Sequence, residues 1–345
     1  MQFRNVRPIW HIIGAQTEQK GTIMLNKEQK QKRKGGLGAS DIPSILGLGF
    51  RTAREVALEK RRPVSEDEDL DDNPAIERGN FLEAGVRAWT AKRIGCEIID
   101  SPTVYVPDTV LFARPDGLAP GRGYYEGKCP GRWTAQDWRD PNEDPAGVPV
   151  YVSAQIQYQC GVAREDPSAP DLDRIYVGAF YSDENHVYEV PYNPEVYSEI
   201  KAAALAWWDR YGAHAKELPP IDYEHPRAIE AIRESYPAHV GDTLAQIMPE
   251  DPISQVVADF KRVSSELAAS KKQQDAIKAE IMEYLGDLPG LEMPDGSRIW
   301  YKQTKPRSHF DKKELEKKYP EIYKELTKTK PGSRVFRPTW KTKGE

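Results

Sequence analysis

Apolar positions along this chain change their spacing several times, and each change marks an element. Between Pro74 and Ile94, Leu82, Val86 and Trp89 form one stripe at helical spacing, which predicts a long helix with proline in its first turn. The period then shortens. Thr103–Val106, Thr109–Arg114 and Tyr124–Cys129 are short runs rich in β-branched and aromatic residues, read as strands joined by tight turns. A helix over 149–163, strands over 174–181 and 186–190, and a helix from Pro194 to about Lys216 follow. They complete a mixed α/β domain that ends near Pro219 and Pro220.

The two ends read differently. Residues 1–25 have no clear period, and 26–34 form a basic lead-in that stops at Gly35 and Gly36. Ser40 or Asp41 is a good N-cap for a short helix that follows. From Ile253 to Leu285 the apolar residues Ile253, Val256, Phe260, Val263, Leu267, Ile277 and Ile281 fall near heptad spacing, interrupted by Ser270 and Gln274. That pattern predicts a helical hairpin or a coiled-coil arm. Residues 291–302 read as a strand, an Asp-Gly turn and a second strand. The expected organisation is an N-terminal extension (1–25), a mixed α/β domain (26–222), a linker (223–252) and a helical arm with a small α+β extension (253–345). There is no internal repeat.

Composition narrows the class. With 345 residues and 39% hydrophobic content the chain can bury a sizeable core. Its apolar runs fall well short of a membrane span, and Met1–Lys20 lacks the basic-then-apolar order of a secretory signal, so a cytosolic protein is expected. Cys96, Cys129 and Cys160 are widely spaced and odd in number, which argues for free thiols over a disulfide framework or an all-cysteine metal site. The net charge is −5, yet residues 298–345 hold fifteen Lys or Arg against six acids. Such a split points to an interaction surface at the C-terminus, with solvated charged faces as the plainer reading. Ser65–Asp72 reads as an acidic loop with too little apolar content to order itself.

Chemistry concentrates in residues 114–130. Asp116 stands ten positions before Glu126, and Lys128 follows two later. On a strand Glu126 and Lys128 emerge on one side while Gly127 points to the other, and Asp116 can reach the first side across the turn. Paired carboxylates are what a hard divalent cation takes as ligands. Without a cation they would repel each other and raise one pKa, a cost that a neighbouring ammonium reduces. Gly127 leaves its carbonyl open to approach. A surface hairpin with a solvated ion pair fits the same spacing. Two other positions extend the set. Glu83 lies on the flank of the 74–94 stripe, where a carboxylate should be partly desolvated. Gln155 lies on the inward face of the 149–163 helix, as a structural hydrogen-bonder or as part of a site.

Taken in order, Glu83 in RGNFLE, Asp116 in RPDG, Glu126 and Lys128 in YEGKCP and Gln155 in SAQIQYQCGV resemble the successive motifs of the PD-(D/E)XK nuclease superfamily. Similarity is greatest to its YqaJ-like viral recombinase and phage lambda exonuclease family. Arg33, seven residues before Ser40 in RKGGLGASD, resembles the leading motif of that family, and the resemblance covers about Arg33 to Trp208. It implies a restriction-endonuclease-like core with a central mixed β-sheet flanked by helices. It implies that Asp116, Glu126 and the Gly127 carbonyl bind Mg²⁺, which Mn²⁺ can replace, as one or two ions, and that Glu83 helps from the helix side. Lys128 would orient or activate the attacking water, and Gln155 would position water, lysine or scissile phosphate. Arg33 and Ser40 would hold a 5′ phosphate, helped by an N-cap and its free N–H groups.

The implied reaction is 5′ to 3′ hydrolysis of linear double-stranded DNA with free ends, leaving 3′ single strands for a single-strand annealing protein. An endonuclease or resolvase with the same site, or a non-catalytic recombination scaffold, are the other classes that fit. A trimeric ring and a phage or prophage gene acting in bacterial cytoplasm are also implied. Trp300, Tyr301, Phe336 and Trp340 of the basic extension could stack on bases or form its own small core. Two departures stand out. Relatives commonly carry a tryptophan shortly before the leading arginine, where this chain has Lys and Gln. Residue 127 is Gly where an aliphatic residue is usual, which should loosen that strand.

Overall fold

Residues 123–128 place a glycine, two tyrosines and a glutamate where a strand buries both faces, and they form the centre of the sheet. The structure is a computed structural model and describes residues 27–66, 73–308, 310–328 and 332–340. The N-terminal extension 1–25 and residues 67–72 of the acidic loop lie outside them. Two compact units divide the chain, Met1–Pro237 and Ala238–Glu345.

In the first unit, β1 (Val104–Tyr105) and β2 (Phe112–Ala113) pair antiparallel as a small ribbon. The main sheet has β3 (Gly117–Ala119), β4 (Gly123–Lys128), β5 (Arg174–Tyr181) and β6 (Glu184–Pro191) in that order. Pairing is antiparallel for β3 with β4, parallel for β4 with β5, and antiparallel for β5 with β6, so the sheet is mixed. The parallel pair needs a crossover. Residues 129–173 supply it and contain the 16-residue helix of the site.

The helices of this unit are α1 (Lys27–Lys34), α2 (Ile42–Ile45), α3 (Ala53–Arg61), α4 (Pro74–Ile94), α5 (Val150–Glu165), α6 (Pro194–Tyr211) and α7 (Ala228–Ser235). Their ends follow local rules. Thr52 and Glu55 form a reciprocal capping box on α3. Asn73 caps α4 with Pro74 in its first turn, and Gly95 closes it at φ 64°, a left-handed conformation that suits glycine. Asn193 caps α6 through the N–H groups of Glu195 and Val196.

Alternation along β4 sends Tyr124 and Tyr125 to opposite faces. Tyr125 packs with Ile98 and Ala119, covered by Ala91 and Ile94 of α4. Tyr124 joins the larger core of Ile156 and Val162 on α5, Ile175 and Val177 on β5, and Ile200 and Trp207 on α6. Full burial of each such aliphatic side chain contributes about 1.5–3 kcal/mol. Three of the buried tyrosines also satisfy their hydroxyls. Tyr124 donates to the Pro170 carbonyl, Tyr158 to that of Leu37 and Tyr188 to that of Arg139, each at 2.7 Å. The Tyr158 bond ties α5 to the segment after α1. A Cβ at Gly161 would overlap the Tyr197 ring, so glycine lets α5 and α6 pack closely.

Several boundaries differ from the sequence reading. The run 103–106 gives only the two residues of β1 and 109–114 only those of β2, because each pairs with a single short partner. The 194 helix stops at Tyr211, five residues early. β3 falls within what reads as a turn, between Pro115 and Pro120. Residues 223–252, read as a linker, contain α7, whose Ala228 and Ala231 are buried and whose preceding Arg227 donates from Nε to Glu55 at 2.8 Å.

In the second unit α8 (Pro252–Leu285) is one uninterrupted helix, so the arm is not a hairpin. β7 (Gly290–Glu292) and β8 (Arg298–Trp300) pair across the Asp-Gly turn, with Gly296 at φ 84°. α9 (Lys312–Lys318) and α10 (Pro320–Leu326) follow. Phe336 and Trp340 pack against Phe260 of α8, with ring centroids 5.4 and 6.3 Å away, so these two rings serve as local packing. Trp300 remains exposed and carries the Lys302 ammonium 3.7 Å from its ring centroid.

Candidate active site

β4 presents Glu126 and Lys128 on the α5 side of the sheet and Gly127 on the α4 side. Glu126 is only 3% exposed, and a buried carboxylate needs donors. It has three. The Lys128 ammonium donates to its Oε1 at 2.6 Å, Gln155 Nε2 to the same oxygen at 2.6 Å, and Gln159 Nε2 to Oε2 at 2.8 Å. Lys128 also donates to Gln155 Oε1 at 3.0 Å, which closes a ring of carboxylate, ammonium and amide. Gln155 and Gln159 stand one turn apart on α5, which is how one helix reaches both oxygens.

Asp116 ends the loop before β3, and its Oδ2 accepts the Gly127 N–H at 2.9 Å. Arg87 of α4 donates to the Asp116 carbonyl and, at 2.6 Å, to Asp100. Arg78 of the same helix donates to the Cys129 carbonyl at 3.0 Å, so α4 holds both ends of the β3–β4 hairpin. Gly127 suits this position because a Cβ there would sit 3.0 Å from the Tyr125 hydroxyl oxygen. The tyrosine ring occupies the room that an aliphatic residue 127 would take.

Burial, followed by the negative charge of Glu126, pushes the Asp116 carboxyl up to about 7, against the pull of Lys128 and the Gly127 N–H. Burial opposes the charge on Lys128, but Glu126 and Asp116 outweigh it and hold the ammonium above its ordinary range. Asp116 and Glu126 are therefore two acids competing for one ammonium. They supply hard oxygen donors of the kind a small divalent cation takes.

Glu83 does not join them as expected. α4 buries only Val86 and Thr90, a stripe too narrow to include position 83, and Glu83 is exposed. Its charge still raises the pKa of Asp116, which puts it at the rim on the α4 side. Among the described residues no three His, Cys, Asp or Glu side chains are grouped closely enough to hold a metal ion. Mg²⁺ does not require such a group, since it keeps several waters and takes one or two carboxylates together with substrate phosphates.

Arg33 and Ser40 come together from either end of the turn after α1, with Arg33 Nη2 donating to Ser40 Oγ at 3.2 Å. A helix N-terminus for phosphate is not formed. α2 is a single turn, and Asp41, its N-cap, makes no side-chain cap. The Asp41 carboxylate turns inward instead. It accepts from Lys60 Nζ at 2.7 Å and from the Gly38 N–H at 3.0 Å, while Lys60 also donates to the Arg33 carbonyl at 2.9 Å. This fully buried ion pair pins the whole 33–41 turn.

The two constellations share a cleft of about 310 Å³, lined by Arg33, Ser40, Asp116, Glu126, Gln155 and Gln159, with Lys32 and Arg114 at its wall. A larger groove of about 620 Å³ lies at Arg122, Arg164 and Arg174. Its guanidiniums are engaged by Asp171, Asp173, Glu189 and the Ile94 carbonyl, which leaves it little to offer an anion. Gln159, Arg87, Arg78 and the Asp41–Lys60 pair were not found from sequence. Only the position of Gln159, four residues after Gln155, could have signalled its role. The three cysteines are free, and among the described residues no helix is long and apolar enough to cross a membrane.

The family model of the YqaJ-like viral recombinase domain matches residues 28–166. No curated protein matches the chain. An alkaline exonuclease from Laribacter hongkongensis is similar at 19% identity and a TM-score of 0.43, over 53% of this chain and 91% of that one. The complex of that exonuclease with dAMP is similar at 17% identity and 0.42, over 61% and 97%. A phage-related exonuclease from Haemophilus somnus 129PT follows at 14% identity and 0.38, over 50% and 93%. Over residues 28–166, the segment that carries every residue of the cleft, the chain is similar to a YqaJ-like viral recombinase domain.

Proposed function

We propose that this chain is a Mg²⁺-dependent deoxyribonuclease that degrades linear duplex DNA from a free 5′ end. One observation carries the reading: a basic, hydroxyl-bearing pair, Arg33 and Ser40, opens into the same cleft as the two acids Asp116 and Glu126, the second of them paired with the Lys128 ammonium. Asp116 and Glu126, with the Gly127 carbonyl, would hold the ion, and Glu83 adds negative charge from the rim. Mn²⁺ would fit the same oxygen donors, and room for a second ion depends on the substrate phosphate. When bound, the ion supplies Lewis-acid polarisation of the phosphate and lowers the pKa of coordinated water.

The residues of the chain do the rest. Lys128, held by Glu126 and Gln155, offers its remaining N–H to an attacking water or a phosphate oxygen. Gln155 fixes the direction of that ammonium. Gln159 keeps Glu126 from rotating away. Arg33 binds a terminal phosphate through its planar fork, with Ser40 as a second donor. The product would be a 3′ single strand suited to an annealing protein, as recombination requires. The basic residues of 298–340 add non-specific affinity for the DNA backbone.

Three duplexes test this with the full chain and Mg²⁺: linear with 5′-phosphoryl ends, linear with 5′-hydroxyl ends, and relaxed circular. The phosphorylated linear DNA should be degraded fastest and the circle should survive, and Arg33→Ala should erase the preference for phosphoryl over hydroxyl ends. Cutting of the circle would make the protein an endonuclease. No hydrolysis of any duplex would leave a binding scaffold.

A further inference from the structure

The β1–β2 ribbon has one face for the core and one for the cleft. Val104, Val106, Leu111 and Ala113 are buried in the main core. Strand alternation sends the residues between and beside them the other way. Thr103, Tyr105, Phe112 and Arg114 therefore line the same cleft as Arg33 and Ser40. Tyr105 and Phe112 stand directly opposite each other across the ribbon, with ring centroids 6.3 Å apart. Such a cross-strand pair steadies the ribbon, yet half of Tyr105 stays exposed beside the cations of the cleft.

Backbone bonds fix this aromatic wall to the turn that joins Arg33 to Ser40. The Leu37 N–H donates to the Val110 carbonyl at 2.8 Å, and the Phe112 N–H donates to the Leu37 carbonyl at 3.1 Å. The Phe112 ring lies over the same turn, so close that a Cβ at Gly38 would sit 3.1 Å from it. On the other strand the Tyr105 N–H donates to Asp166 Oδ2 at 2.8 Å, and Asp166 Oδ1 is held by the N–H and hydroxyl of Ser168. The rings are thus in place before a ligand arrives, which lowers the ordering cost of binding.

A ligand that matches this wall has an anion at one end and a flat π-face at the other, which is the make-up of a nucleotide. Resting on the nuclease reading of the cleft, we infer that Tyr105, with Phe112 beside it, is a stacking subsite for the base of the nucleotide whose 5′ phosphate Arg33 and Ser40 hold. Every base has a π-face, so the subsite strengthens the grip on a DNA end without selecting its sequence.

Equilibrium binding of the full chain to hairpin duplexes with one 5′-phosphoryl end, measured by fluorescence anisotropy with Ca²⁺ replacing Mg²⁺, tests this. The terminal nucleotide is either intact or lacks only its base. Wild type should bind the intact end about tenfold more tightly than the abasic one. Tyr105→Ala should bring that ratio close to one while keeping the preference for a 5′-phosphoryl over a 5′-hydroxyl end, and Tyr105→Phe should retain both. Equal binding of intact and abasic ends by a wild type that still prefers the phosphoryl end overturns the subsite and leaves the nuclease reading standing. A ratio unchanged in Tyr105→Ala overturns it too. Loss of both preferences together in Tyr105→Ala would make the ring a support for the 33–40 turn, again overturning the subsite. No binding to any end would overturn the inference together with the reading it rests on.

Discussion

Lys128→Ala is expected to slow hydrolysis of linear duplex DNA by about 10²-fold or more, as removal of a group acting on the transition state does. Among the described residues its ammonium is the one cation bonded to Glu126, and it is itself directed by Gln155. With 25% of the side chain exposed, its removal should leave the fold standing, so an unfolding curve measured beside the rate separates the two effects. Alanine also removes the positive charge that opposes the raised pKa of Asp116, which compounds the loss. Lys128→Ala protein that degrades DNA as fast as the wild type would remove Lys128 from the chemistry.

Asp41→Ala is expected to cost about 3–5 kcal/mol of stability, because it leaves the buried Lys60 ammonium without its counter-charge. The lost contacts are those that pin 33–41, so the separation of Arg33 and Ser40 should change as well. The effect carries a pH signature. Burial would raise the pKa of Asp41, but Lys60, with help from Arg51 and Arg33, outweighs it and sets the pKa below the ordinary value of about 3.9. A carboxylate depressed on folding adds stability that is fully present above its unfolded pKa and is lost as pH falls through its folded pKa. The gap between wild type and variant in urea unfolding should therefore be full at neutral pH and close below about pH 4. A gap of the same size at pH 3 and pH 7 would contradict the pairing.

How much of this was legible in the sequence depends on the distance over which each feature is decided. α4 runs from Pro74 to Ile94 as expected, since its caps and apolar spacing are local. β5 matches residue for residue because a central strand is a continuous apolar run. The same-side relation of Glu126 and Lys128 follows from strand alternation alone. The expected partial burial of Glu83 is not found, because it depends on how far α4 rolls toward the sheet, which the spacing of three apolar residues does not determine. β3 was hidden because Pro115, Gly117 and Pro120 look like turn punctuation, while its pairing is set by β4. Gln159, Arg87 and the Asp41–Lys60 pair depend on contacts across 19 to 33 positions, and nothing in their own neighbourhoods marks them.

The central claim is that Asp116 and Glu126 hold one divalent ion beside Lys128. Anomalous diffraction from a crystal of the full chain soaked in Mn²⁺ tests it directly. The expected result is a peak within about 2.0–2.6 Å of carboxylate oxygens of both residues, lost in Asp116→Ala. A Mn²⁺ peak elsewhere, or none between those two side chains at saturating metal, would contradict it.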